Sequence, residues 1–148
     1  MAGEDKASLI RRTLASQDTS SSQACNEILQ MLIDHGADVN AQNPMDSLPT
    51  ILAIESRQTD AAKFLIDHGV DVNLTTGGYL SPLKSATAYG NSFIMRLLLN
   101  AGADPAKCGT SFDELIDMAQ TDHNKETLAV LKDAMAKRKA AGSGGLKK

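Results

Sequence analysis

A repeat of 33 residues runs through this chain and constrains its fold more than any other feature of the sequence. The stretch DHGADVN at residues 34–40 returns as DHGVDVN at residues 67–73. The same step connects three glycines and three aspartates, which are Gly36, Gly69, Gly102, Asp38, Asp71 and Asp104. A period of this length predicts several copies of one small supersecondary unit that stack against each other.

The apolar residues keep this step and show what each unit contains. Three series extend over four units: Leu32, Leu65, Leu98 and Leu131; Met31, Phe64, Leu97 and Val130; and Leu29, Ala62, Met95 and Leu128. Within a unit these residues fall at helical spacing, on a stripe too wide for a helix that is covered on one side only. The pattern predicts paired helices near 48–56 and 58–68, and near 81–89 and 91–101. It predicts no sheet beyond short turns.

The residues between the helices suit turns. Ser81 can cap the N-terminus of a short helix, and Pro82 fits its first turn. Each Gly of the repeat follows a longer helix and can adopt the left-handed conformation that ends it. The Asp and Asn residues after each Gly can bond their own backbone in a tight turn. The repeated heptapeptide is therefore predicted to be the joint between stacked units.

The residues of one unit resemble the ankyrin repeat family. SPLKSATAYGNSFIMRLLLNAGADP at residues 81–105 is similar to the family's TPLHxA…G…LLLxxGAD unit. Residues 48–73 are similar but carry Leu48 and Ile51 at the Thr and His positions, where apolar packing is expected to replace the family's hydrogen bonds. The resemblance implies an all-α, ankyrin-type solenoid of about four helix-turn-helix repeats with turn or hairpin joints.

The repeat register divides the chain into a domain and a tail. A domain over residues 1–137 would contain units at about 5–38, 39–71, 72–104 and 105–137, and residues 138–148 would form a flexible basic tail. Residues 1–131 contain nine basic and seventeen acidic side chains, whereas residues 132–148 contain six basic and one acidic. Ser111 and Glu114 form a capping-box pattern at the start of the last unit.

The resemblance also implies where a partner protein binds, at the turn tips and on the exposed side of the shorter helices. The residues at these positions are Gln42, Met45, Ser47, Glu55, Ser56, Thr75, Tyr79, Leu80, Ala88, Tyr89, Ser111 and Asp113. Tyrosine is enriched at binding hot spots because it offers a large rigid face and a hydroxyl group. An alternative stays open, in which Tyr79 packs on its neighbouring turn and Tyr89 covers a helix end.

No pattern of catalytic or metal-binding residues stands out. His35 and His68 occupy one repeat position, and we interpret both as residues that end a helix. The register of the aspartates indicates turn chemistry, and the GxSxG, P-loop and dinucleotide-binding patterns are absent from the sequence. Cys25 and Cys108 suit a reducing compartment, where a free thiol packs as a small apolar group. We therefore expect neither an enzyme nor a cofactor nor a bound metal.

Two functional hypotheses follow. The first is a non-enzymatic protein-binding module, such as an adaptor, an inhibitor or a neutralising immunity-type partner, and its acidic body favours a partner with a basic patch. The alternative is association with nucleic acid or another acidic surface through the basic C-terminal residues. That segment has no interleaved aromatic residues, which argues against nucleic acid. The N-terminus has no uninterrupted apolar run, so a cytoplasmic location is expected, with a nuclear location or delivery into a host left open.

Overall fold

A computed structural model of the chain describes residues 9, 22–40, 48–76, 80–121 and 123–145. Seven α-helices with defined bounds lie in these residues, and a 3₁₀ turn at Pro105–Cys108 precedes the sixth. The helices are α1 (Ser22–Asp34), α2 (Pro49–Glu55), α3 (Thr59–Asp67), α4 (Pro82–Ala88), α5 (Ser92–Asn100), α6 (Phe112–Thr121) and α7 (Lys125–Gly145).

The helices form two rows. The shorter helices α2, α4 and α6 contact one another in that order, and the longer helices α1, α3, α5 and α7 form the second row. Each short helix also packs on the long helix that follows it. The predicted helix pairs are confirmed to within one residue at each end, and the described residues contain no strand, only one isolated bridge between Thr76 and Leu80.

The repeated apolar residues form the core between the two rows. Leu65, Leu98 and Leu131 are fully buried, and Leu32 packs against the core with part of its side chain exposed. Met31 differs from its repeat counterparts because 62% of its surface is exposed. Its helix, α1, is the first long helix in the described part of the row, so a neighbouring long helix covers it on one side.

The predicted helix starts are largely confirmed. The Ser81 hydroxyl accepts a hydrogen bond from the Lys84 N–H at 3.2 Å, and Pro82 begins α4. At the equivalent start of α2, Leu48 makes no side-chain cap, and both Leu48 and Ile51 are buried. Apolar packing therefore replaces the capping bond in this unit, as the sequence predicted.

At the joints, the predicted roles of Gly and Asp are confirmed, and the predicted role of Asn is wrong. Gly36, Gly69 and Gly102 have φ values of 87°, 81° and 95°, which end the long helices in the left-handed conformation. Each joint aspartate bonds its own turn: Asp38, Asp71 and Asp104 accept from the N–H two residues later at 2.8, 3.0 and 3.0 Å. The joint asparagines Asn40 and Asn73 instead accept from a backbone N–H of the next unit.

A second left-handed position recurs at the repeat step. Arg57, Gly90 and His123 have φ values of 59°, 66° and 57°, and each lies between a short helix and the following long helix. The sequence did not indicate this position, because only one of its three occupants is Gly. Arg57 and His123 therefore have a backbone conformation that normally favours glycine.

The last helix, α7, extends past the end of the last repeat unit. α7 continues to Gly145, so the predicted boundary at residue 137 falls within a helix, and the final three residues lie outside the described part. Arg138 contacts the carboxylate of Asp104 with both terminal nitrogens, at 2.6 and 3.0 Å. This bidentate contact connects α7 to the joint that contains Gly102 and Asp104. No helix in the described residues has the length and apolar character needed to cross a membrane.

Candidate functional site

The structure describes eight of the twelve residues predicted to contact a partner. Gln42, Met45, Ser47 and Tyr79 lie outside the described residues. Among the other eight, the exposed residues are Ala88, Tyr89, Ser111 and Asp113, and the half-buried residues are Glu55, Ser56, Thr75 and Leu80.

The C-terminal residues of the short helices form one line across three units. Glu55, Ala88 and Thr121 each end a short helix, and each is 33 residues from the next. Because the short helices stack directly on one another, these three positions recur along the same edge of the row. Glu55 is half-buried, whereas Ala88 and Thr121 are exposed.

The third turn tip is closed by a pair of backbone hydrogen bonds. Thr76 and Leu80 each donate an N–H to the other's carbonyl oxygen, at 2.7 and 3.1 Å. These bonds form an isolated antiparallel bridge. Of the predicted contact residues, Leu80 belongs to this bridge and Thr75 directly precedes it.

The start of α6 is acidic and tied to the neighbouring unit. The Ser111 hydroxyl accepts from the Glu114 N–H at 3.1 Å, as the capping pattern predicted. The Glu114 carboxylate accepts from the Thr110 hydroxyl at 2.6 Å and pairs with Lys84 of α4 at 3.3 Å. The Thr110 hydrogen bond, followed by the Lys84 contact, lowers the pKa of Glu114. Asp113 and Asp117 add two further exposed carboxylates to α6.

Two exposed aromatic side chains flank the turn between α4 and α5. Tyr89 is 43% exposed and Phe93 is 49% exposed, and the Tyr89 N–H donates to the carbonyl of Ser85 at the end of α4. Sequence reasoning missed Phe93. A signal was present, since Phe93 stands at a repeat position held by acidic residues in the other three units: Glu27, Asp60 and Glu126.

The histidines and cysteines behave as structural residues. The Nδ1 atoms of His35 and His68 lie 2.7 and 2.8 Å from the carbonyl oxygens of Met31 and Phe64, each four residues earlier in a helix. Their predicted place at helix ends is confirmed. Cys25 and Cys108 are buried free thiols, and burial raises the pKa of both. Within the described residues, no three potential metal ligands lie together.

These observations define a solenoid repeat protein whose two rows of helices present different surfaces. A family model described as ankyrin repeats, in three copies, matches residues 17–107, which is more than half of the chain. The chain belongs to the ankyrin repeat family. Repeats of this family generally mediate protein–protein interaction. No curated protein matches the chain.

Proposed function

We propose that this protein is a non-enzymatic interaction module that binds one partner protein along the row of short helices and turn tips. It would act as an adaptor, an inhibitor or a neutralising immunity-type partner. The observation that carries the proposal is the line of positions formed by Glu55, Ala88 and Thr121, which three stacked units direct to one edge. Such a line gives a partner a continuous surface that no single unit could offer.

The charge of this surface favours a partner with a basic patch. Asp113, Glu114 and Asp117 are exposed on α6, and Glu55 adds a half-buried carboxylate on α2. Lys84 is the one basic residue on α2, α4 and α6, and it is paired with Glu114. Complementary charge raises the rate of association and selects among partners more than it raises affinity.

Capture of partners from the cells that produce the protein tests this proposal when two matched variants accompany the parent. Asp113→Lys changes an acidic residue in the first turn of α6, and Asp60→Lys makes the same change in the first turn of α3. Proteins retained by the parent and by Asp60→Lys, but lost with Asp113→Lys, would support binding at the short-helix row. Equal retention by all three would contradict it.

The alternative function involves the basic C-terminal residues. Lys132 and Lys139 are exposed on α7, which favours contact with an acidic surface. However, Arg138 already contacts Asp104 with both terminal nitrogens, at 2.6 and 3.0 Å. Salt separates the two functions, because binding through the C-terminal lysines should weaken steeply as salt rises and binding along the short helices much less.

A further inference from the structure

A groove of about 720 Å³ lies between α5 and α7, in the row of long helices. This volume is within the range of roughly 300–1,000 Å³ that is typical of ligand clefts. Leu99, Phe112 and Val130 give the groove apolar walls, and Arg96 and Lys137 also line it. Most of the lining residues lie on α5 and α7, and Phe112, the first residue of α6, joins the groove to the short-helix row.

Two small side chains of α7 line the groove. Ala129 occupies the repeat position of Lys63 in α3 and Arg96 in α5. Ala134, also in α7, lines the same space. At this position α7 therefore contributes a methyl group to the groove, where α3 and α5 have a long basic side chain.

The groove has a small excess of positive charge although the domain is acidic. Three basic residues and one acidic residue line it: Arg96, Lys137, Arg138 and Asp133. Because Arg138 is neutralised by Asp104, the excess charge belongs to Arg96. Lys137 pairs with Asp133 at 2.9 Å, but both side chains are well exposed, and such surface pairs exchange readily for another partner. The basic side chains of the groove would therefore attract an acidic ligand, whereas the carboxylates on the rest of the surface would repel it.

Two contacts hold the far end of the groove in place. The guanidinium of Arg138 is fixed by both carboxylate oxygens of Asp104, at 2.6 and 3.0 Å. The same guanidinium carbon lies 6.0 Å from the centre of the Phe112 ring. Because a bidentate pair restricts both of its side chains, Arg138 is held in place beside the Phe112 ring, and this side chain loses less entropy on binding.

We infer that this groove binds an acidic amphipathic segment of a partner protein. Large apolar side chains at helical spacing would contact Leu99, Phe112 and Val130, and flanking carboxylates would pair with Arg96 and Lys137. Phe93, one turn before Arg96 on α5 and half exposed, extends the apolar surface beyond the groove. The groove is formed mainly by the long helices and prefers the opposite charge to the short-helix surface, so substitutions at Arg96 and at Asp113 test the two sites separately.

Three synthetic peptides and fluorescence polarisation test the inference. The probe is a labelled peptide of about 15 residues with Leu at helical spacing and Glu elsewhere. One control replaces Glu with Lys, and the other replaces Leu with Ser. The probe should bind the full chain at least about tenfold more tightly than either control. No binding of the probe, or equal binding of the Ser control, would overturn the inference.

Variants of the protein test whether the probe binds in the groove. Arg96→Glu should weaken binding of the probe at least about tenfold, whereas Lys63→Glu, at the same repeat position of α3, should change it less than about twofold. Ala129→Arg restores the long side chain of the other units and adds positive charge, so it should weaken binding by filling the groove. If the two Glu variants had equal effects, or if the probe bound Ala129→Arg more tightly, the probe would be attracted by positive charge alone and would not occupy the groove. Thermal melting confirms that each variant is folded.

Discussion

The side-chain oxygen of Asn73 accepts a hydrogen bond from the backbone N–H of Asp104, 2.8 Å away in the next unit. The preceding joint repeats this contact, since Asn40 accepts from the N–H of Asp71 at 2.7 Å. The Asn73 amide also donates to the Gly102 carbonyl at 3.3 Å. The first two joints thus each make an Asp turn within their own unit and an Asn bond to the next unit. The third joint keeps the Asp turn but has Ala106 at the Asn position.

Asn73→Ala should destabilise the stack by about 1–3 kcal/mol, because it leaves the partly buried backbone N–H of Asp104 without its partner. Urea denaturation followed by circular dichroism measures the change. Asn100→Ala, at an exposed position that ends α5, is the control and should cost less than about 0.5 kcal/mol. Equal midpoints for the two variants would mean that the bond between units contributes nothing to stability.

Gly69→Val should destabilise the protein by more than about 1 kcal/mol, because a β-branched residue resists a positive φ. A Cβ atom at Gly69 would meet nothing within 4 Å, so this cost comes from the backbone and not from a clash. Gly69→Asn should cost less than Gly69→Val, since Asn tolerates the left-handed conformation. Thermal melting compares them, and a melting midpoint for Gly69→Val equal to that of the parent would contradict the assignment of the helix end.

Arg57→Gly should leave stability unchanged or raise it by up to about 1 kcal/mol, because the backbone there has a φ of 59°. The neighbouring Ser56 has a φ of −81°, which suits any residue. Ser56→Gly should therefore lower stability by about 0.5–1 kcal/mol. If the two glycine variants were destabilised equally in a urea titration, the left-handed position would carry no strain.

The sequence predicted the parts of the fold that recur at a fixed step, and missed those that depend on contacts between units. Helix bounds followed from the apolar series, and the turns followed from Gly69 and Asp71. The bond from Asn73 to Asp104 could not be predicted, because an Asn in a turn can equally bond its own backbone. The groove was also missed, since it combines residues of α5, α6 and α7 that are distant in sequence. Phe93 is the exception, because its contrast with Asp60 and Glu126 was visible in the repeat register.

The contact between Asp104 and Arg138 predicts a dependence of stability on pH. The hydrogen bond from Arg138 lowers the pKa of Asp104 in the folded protein. A carboxyl group whose pKa falls on folding stabilises the protein at pH values above its unfolded pKa of about 3.9. That contribution is lost as the pH falls through the lower, folded pKa.

Arg138→Gln should therefore be less stable than the parent near neutral pH, and the difference should shrink as the pH falls below about 4. Urea midpoints measured across this range give the comparison. Lys137→Gln is the control, since the Lys137–Asp133 pair is more exposed and should contribute little. A difference between Arg138→Gln and the parent that stayed constant with pH would rule out Asp104 as the source.

The last prediction concerns the partner itself. Changing Tyr79 and Tyr89 together to Ala should weaken binding of the captured partner at least about tenfold, because aromatic anchors can each contribute about 2 kcal/mol or more when a partner desolvates them. Tyr89 is 43% exposed, so its loss should leave the core intact, which a melting curve can verify. Isothermal titration calorimetry of parent and variant measures the affinity.

The matched control for this prediction must test the C-terminal residues without removing a helix. Truncation after Leu131 would remove most of α7 and the Arg138 contact with Asp104, so it would change stability and binding together. Lys132→Glu combined with Lys139→Glu reverses two exposed charges and leaves that contact in place. If this variant lost the partner while the tyrosine variant kept it, the binding surface would be the C-terminal part of α7 and not the short-helix row.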